Sequence, residues 1–469
     1  MLRPALRFTT VLLFSLTLVA GLSAQAPAPS APATQRWLLV SDVHFDPFAD
    51  PALVDRLAAA PPGGWTAIFA SAHDPVDGLG TDTNETLLES SLAQMQATTP
   101  DPAVVLIDGD FLAHQFRTLF DRTARVHDDA AYRAFVDKTI AFLALRFGQT
   151  FPHAAILPSV GNNDSYCGDY MSTPNSPFLA HMAAAFGPLI ARGASAPDFE
   201  TTFSAAGHYV ASIPGTTIRI VVPNSVVWSA DYDNRCGDPH ANPTQDELAW
   251  FASALRPTHR DEHAWVLTHI PPGIDVYASL SGQHVPTLTY SPAPAAQVPS
   301  LVDGADTVVT EFIAGHLHTN GFRIVSNGGS SQAVPVVTVP SISPIFANDP
   351  SYFDATVSAQ TGVIADYTAY ALGGLLPHGM LAGGATESWH REYAFASAYG
   401  EPDGVTATSL ADLQGKLATS TPLRLEFENW FVSGSPVHGM TESNWRAYWC
   451  ADARLTAATW EPCAAASGS

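Results

Sequence analysis

AAILPSVGNND, residues 154–164, starts as an apolar run and ends on a glycine, two asparagines and an aspartate. The apolar part reads as a buried strand, and Gly, Asn and Asp favour the tight turn that would end it. Four other segments repeat the pattern. RWLLVSDVH (36–44), PAVVLIDGD (102–110), HAWVLTHIPPG (263–273) and TVVTEFIAGHLH (307–318) each run from apolar residues into a polar loop. GHYVASI and TIRIVVP add two more strand candidates. Helical patterns lie between them. Tyr132, Phe135, Val136, Ile140 and Leu143 follow a 3.6-residue period, which predicts an amphipathic helix over 129–147. Thr244 and Glu247 form a capping-box pattern ahead of a helix over 245–256. Strands alternating with helices imply an α/β fold, layered around a central sheet.

In α/β folds, sites form in the loops beyond the carboxyl ends of strands. The five runs end in Asp42 and His44, in Asp110, in Asn162, Asn163 and Asp164, in His269, and in His316 and His318. If the runs are neighbouring strands, these loops converge on carboxylates, an amide and several imidazoles, with no thiolate. That donor set suits two borderline divalent cations such as Zn, Fe or Mn. A carboxylate can bridge two such ions, which lie roughly 3.5–4 Å apart in two-metal hydrolases. In extended segments, residues 42 and 44 would point one way, as would 316 and 318. A single D-x-H or H-x-H arises by chance, and a lone histidine is more often a surface or hydrogen-bonded residue than a ligand. Five ordered motifs, each after an apolar run, are much harder to produce by accident. His73, His127, His153, His181 and His259 have no motif around them and read as surface or core residues, and His208 reads as a strand residue.

The bulk properties set the context. Arg3 and Arg7 precede VLLFSLTLVAGL, and small residues follow at Ser23 and Ala24, the layout of a cleaved secretory signal over 1–24. A Pro/Ala-rich leader over 25–36 reads as disordered. No later run reaches the roughly 18 apolar residues of a membrane span, so a secreted or periplasmic protein is expected. The formal charge is −23 with only Lys138 and Lys416 as lysines, which leaves no basic footprint for nucleic acid. Any phosphate must be held by something other than a basic patch. Four cysteines in an exported chain imply two disulfides, with three pairings possible. Cys450 and Cys463 enclose a short loop and are natural partners, which would leave Cys167 with Cys236; the short loop should gain about 3 kcal/mol. Asn84 begins an N-E-T glycosylation sequon.

SDVH, GD, GNND, HIPPG and GHLH resemble, in order and spacing, the motifs of calcineurin-like metallophosphoesterases. The Pro-Pro-Gly after His269, the histidine of GDFLAH and PSISPIFANDPSYF (340–353) resemble the acid sphingomyelinase-like phosphodiesterase branch. The resemblance runs from about residue 37 to at least 370. It implies a four-layer αββα sandwich of two mixed sheets; the sequence pattern changes from about 351, which sets a catalytic domain over 37–350 and a C-terminal, mostly helical subdomain over 351–469. It also implies two divalent metal ions, zinc first. Asp42, His44, Asp110 and His318 would hold one ion, and Asp110 would bridge to a second held also by Asn162, His269 and His316. The family usually has histidine where this chain has Asn163. Asparagine can hydrogen-bond an oxyanion but cannot act as a general acid. His114 keeps the spacing of a second histidine that this branch places near the leaving group, and takes the acid role in its stead.

The expected reaction is in-line hydrolysis of a phosphodiester by hydroxide generated between two metals, with His114 protonating the leaving oxygen and Asn163 positioning it. The substrate would be a small-molecule phosphoester or a phospholipid head group. Endopolyphosphatase or phosphomonoesterase activity on the same fold is the alternative, since some endopolyphosphatase-like members also carry GNND. From another class, the change at Asn163 raises a secreted metal- or phosphate-binding protein that has lost catalysis. The long, Pro-rich segment 274–300 is a candidate lid.

Overall fold

The structure, a computed structural model, describes Met1 and residues 34–72, 75–281, 285–326, 333–377, 387–437 and 439–466. The expected signal peptide beyond Met1 and the leader up to residue 33 lie outside the described residues, as does His73. The strands are β1 (Thr34–Val40), β2 (Val104–Ile107), β3 (Ala155–Pro158), β4 (Tyr209–Ser212), β5 (Ile218–Val222), β6 (His263–Thr268) and β7 (Ile274–Asp275). They continue with β8 (Thr287–Leu288), β9 (Val308–Ala314), β10 (Gly321–Val325), β11 (Val334–Thr338), β12 (Ser351–Ser358), β13 (Ile364–Gly373) and β14 (Ser388–Ala394). All five apolar runs are strands: β1, β2, β3, β6 and β9.

Two mixed six-stranded sheets result, in the orders β14-β13-β12-β1-β2-β3 and β10-β11-β9-β6-β5-β4. β1, β2 and β3 are parallel neighbours in the first sheet. β5, β6, β9 and β11 are parallel neighbours in the second. Trp37 of β1 and Trp265 of β6, both fully buried, meet between the sheets with ring centroids 4.7 Å apart. A parallel bridge between Ser41 and Ser341 ties the two sheets just beyond the end of β1. Because the parallel strands deliver their carboxyl ends to the same edge, the loops after β1, β2, β3, β6 and β9 gather there.

Helices cover the outer faces. The predicted helix forms over Asp129–Thr150, capped by Asp128, whose side chain accepts from the Ala131 amide. It packs with Pro177–Ile190 against the first sheet through Phe135, Phe142, Phe147, Met182 and Phe186. Pro243–Ala254 and Pro292–Asp303 cover the second sheet with Leu248, Phe251, Val298 and Val302. The expected capping box at Thr244 and Glu247 does not form. Asn242 is the cap, accepting from the Gln245 amide, while Thr244 donates to the Val227 carbonyl and Glu247 turns inward to His208. Tertiary partners outcompete the local reciprocal bonds there. Asn84 of the sequon is also committed: it caps Glu85–Thr98, is 3 % exposed, and donates to the Pro75 carbonyl.

The first sheet runs across the boundary expected at 350/351. β12 pairs with β1, and β13 and β14 extend the same sheet outward. Helices follow from Phe395 onward. Leu410, Leu413 and Leu417 join the main core, whereas Trp445–Ala451 and Ala457–Ala465 pack by Ala447, Cys450 and Trp460 on Ile274 and Val276. Cys450 is bridged to Cys463, and Cys167 to Cys236. The candidate lid is pinned near its start. Arg323 donates to the carbonyls of Pro272 and Ile274, and Thr289 to that of Pro271.

Candidate metal centre

The loops after β1, β2, β3, β6 and β9 bring Asp42, His44, Asp110, Asn162, His269, His316 and His318 into one cluster. The Asp110 Oδ2 atom lies at its middle, 3.3 Å from His44 Nε2 and 3.4 Å from His269 Nε2. On one side, His318 Nε2 is 3.2 Å from His44 Nε2 and 3.4 Å from Asp42 Oδ1. On the other, Asn162 Oδ1 sits 2.8 Å from His269 Nε2 and 2.9 Å from His316 Nδ1. Asp42, His44 and His269 are fully buried, and Asp110 and His318 are 2 % exposed.

The local backbone is not the extended chain expected for the D-x-H and H-x-H pairs. Asp42, His44, Asp110, His316 and His318 all have positive φ, between 40° and 67°. Non-glycine residues in this region carry strain and persist only where surrounding structure enforces them. Convergence therefore comes from tight left-handed turns at the strand ends and not from alternation along a strand. The glycines before Asn162 and His316 permit the close approach. A Cβ at Gly161 would overlap the Asp110 amide and carboxylate, and one at Gly315 would overlap Ser41 Oγ.

Hydrogen bonds behind the cluster set which atoms face it. His44 Nδ1–H donates to the Leu112 carbonyl at 3.0 Å and His269 Nδ1–H to the Asp108 carbonyl at 2.5 Å. A carbonyl only accepts, so both rings present Nε2 to the cluster. Asn162 Nδ2 donates to Asp169 at 2.7 Å, leaving Oδ1 facing inward. Burial, and then the neighbouring His114, lower His44 to about 4; burial, and then His269, lower His316 to about 3. His318 is also held well below its usual range by burial. These rings are thus neutral at pH 7, with lone pairs facing carboxylate and amide oxygens. His269 is drawn the other way, to about 10: burial opposes its charge, but Asp110 prevails. Buried lone pairs and carboxylates converging without enough donors among them fit divalent cations of the Zn, Fe or Mn type.

Asn163 lies beside the cluster, and its backbone N–H donates to Asp110 Oδ1 at 2.7 Å and its Nδ2 to Asp110 Oδ2 at 3.0 Å. One hydrogen of the Asn163 side-chain amide is thus committed to Asp110. His114 stacks on His44 with centroids 4.1 Å apart, and its Nδ1 lies 3.0 Å from Asp82 Oδ1. Its side chain is 27 % exposed. Burial would lower it, but the Asp82 hydrogen bond and charge outweigh that and raise it above 6.5.

Several supporting residues stand outside the seven candidate ligands. Asp164 accepts from the backbone amides of Phe111, Leu112 and Gly161, which locks the β2 loop to the β3 loop. Its only sequence signal was the last letter of GNND. Asp82, Asp169 and Tyr170 lie outside the five motifs, and no local pattern marks them. Among the histidines without a motif, His181 contacts Tyr166 and Asp137 at the surface. His208 stacks on Trp250 and bonds Glu247 at 2.7 Å, so it lies just outside the strand predicted for it.

Two mixed sheets flanked by helices, with this cluster at the carboxyl ends of their parallel strands, define a calcineurin-like metallophosphoesterase fold. In sequence the chain is similar to sphingomyelinase phosphodiesterases. It is 23% identical over 376 residues to sphingomyelinase phosphodiesterase D of Dictyostelium discoideum, covering 77% of each chain. It is also 23% identical over 245 residues to sphingomyelinase phosphodiesterase C of that organism, covering 52% of this chain and 49% of the relative. No family model matches. Among solved structures, that of PhoD aligns over 79% of this chain and 70% of its own at 12% identity and a TM-score of 0.38. The calcineurin-like phosphoesterase YfkN from Bacillus subtilis aligns over 72% and 90% at 10% identity and a TM-score of 0.30.

Proposed function

We propose that the protein is an exported, metal-dependent phosphodiesterase of the acid sphingomyelinase-like type, acting on small-molecule phosphodiesters or phospholipid head groups. The observation that carries this reading is the convergence of Asp42, His44, Asp110, Asn162, His269, His316 and His318 with His114 at the rim. Asp42, His44, Asp110 and His318 would hold one ion, and Asp110, Asn162, His269 and His316 the other. When bound, two such cations, zinc first, draw charge from phosphoryl oxygens and lower the pKa of water from 15.7 toward about 7.

The chain's own residues do the rest. Asp110, placed between the two groups of ligands, sets their separation, and Asn163 holds Asp110 through two hydrogen bonds. Bound cations would supply the positive charge that a chain of net charge −23 with two lysines does not. His114, its Nδ1 proton on Asp82, presents Nε2 as the proton donor for the leaving oxygen. Two disulfides and the Arg-flanked apolar N-terminus support export.

The test is metal analysis of the purified protein, followed by hydrolysis of bis-p-nitrophenyl phosphate beside p-nitrophenyl phosphate, with Asp110→Ala as control. About two ions per chain and diester turnover, both lost in the variant, are expected. Turnover of the monoester alone would replace the diesterase reading, and two ions with turnover of neither ester would point to a binding protein.

A further inference from the structure

The seven ligand candidates do not share one kind of support. Asn162 differs from the rest because an amide has two ends of similar shape and opposite chemistry: Oδ1 accepts, Nδ2 donates. Only the orientation with Oδ1 inward can hold a cation; the flipped amide would aim two N–H groups at it. The turn just after GNND decides between them. Asp169 accepts from Asn162 Nδ2 at 2.7 Å, and an ionised carboxylate can only accept. The next residue, Tyr170, places its hydroxyl 3.5 Å from His316 Nε2. With that hydroxyl accepting from Nε2–H, His316 keeps its Nδ1 lone pair for the cluster. Both contacts fall on the Asn162 and His316 side.

The turn is itself held in place. Ser165 Oγ accepts from the amides of Cys167 and Gly168 and donates to the Gly168 carbonyl. Tyr170 N–H donates to the Asn162 carbonyl at 2.9 Å, and Gly168 and Tyr170 adopt positive φ of 111° and 56°. The Cys167–Cys236 bridge fastens the turn to the loop after β5, where the Asp233 amide donates to the Tyr170 carbonyl.

We propose that the disulfide-anchored turn 165–170 is a clamp for one ion position, with Asp169 the positioning residue that aims the Asn162 oxygen into it. This rests on the metal reading above. Partners of this kind typically change metal affinity 10–100-fold when removed.

The test compares Asp169→Ala with Asp169→Asn in the full chain, by zinc titration against a chelator and by the visible spectrum of the Co²⁺-loaded protein. Asparagine keeps an oxygen acceptor of the same shape, so Asp169→Asn should bind two ions nearly as the wild type does. Asp169→Ala should bind one ion normally and the other about 10–100-fold more weakly, with only part of the Co²⁺ spectrum altered. Replacing Cys167 and Cys236 together by serine should produce the same one-sided loss. Wild-type affinity and spectrum in Asp169→Ala would overturn the clamp, as would equal weakening of both ions in both Asp169 variants. A wild-type protein that takes up no divalent cation overturns the metal reading itself, and the clamp with it.

Discussion

His114 stacks on His44 with ring centroids 4.1 Å apart and planes inclined by 23°, while its Nδ1 rests on Asp82. One imidazole is buried and driven neutral; the other, on the rim, is held protonated to higher pH by its carboxylate. On the proposed reading, these opposite shifts suit His44 to ligand work and His114 to acid work.

A pH profile follows from that division. With a poor leaving group, kcat should fall as pH rises through the raised pKa of His114, because the acid form is lost. His114→Ala should remove this basic limb, keep the metal content, and cost about 10²–10⁴-fold. With p-nitrophenolate leaving, the cost should be small. Asp82→Asn removes what raises the pKa, so the limb should move to lower pH. Equal losses for good and poor leaving groups would argue against the acid role.

Removing the metals should change stability as well as activity. Stripping the protein with a chelator and re-adding Zn, Mn or Fe should abolish and then restore turnover. Anything that binds only the folded state stabilises it by about 2.7 kcal/mol at a hundred times its Kd. The stripped protein should therefore melt at lower temperature, and a scan that finds equal melting temperatures would contradict a buried binding site.

Gly161 tests the packing of the strand ends. Its missing Cβ leaves room for the Asp110 amide and carboxylate, so Gly161→Ala must displace Asp110 or the turn. Overpacking costs about 1–3 kcal/mol, and here the displaced group is the one at the middle of the cluster. We expect loss of metal and activity with the far-ultraviolet circular dichroism unchanged. Gly415→Ala, in an open helical position, should leave both unaffected.

Glu392 offers a stability test. Both of its carboxyl oxygens are buried without a hydrogen-bond partner among the described residues. Burial, and then the nearby Asp349, raise it from 4.5 to about 9. The folded state therefore holds this proton more tightly than the unfolded chain does. Its contribution is complete below pH 4.5 and is lost as pH rises toward 9. Glu392→Gln should raise the melting temperature at pH 8 to 9 and leave it little changed at pH 5. An unchanged pH slope in differential scanning would show that the group ionises freely.

The amino-acid sequence alone determined the strands that matter and the residues at their ends. Short apolar runs closed by Gly, Asn, Asp and His are local patterns, and they placed β1, β2, β3, β6 and β9 and all seven candidate ligands. Tertiary structure decided the rest. The left-handed turns at Asp42, His44, Asp110, His316 and His318 are held by packing: Asp and His tolerate this region better than most residues, but it still costs energy unless the surrounding structure enforces it. Glu247 left its capping box for His208, since a buried ionisable partner outweighs an exposed cap. Likewise Asp82, Asp164 and Asp169 acquire their roles from partners 32, 53 and 7 residues away along the chain. Such partners are joined by the fold and not by a sequence motif, so only the assembled sheets could show which carboxylates hold an imidazole, lock a turn or aim an amide.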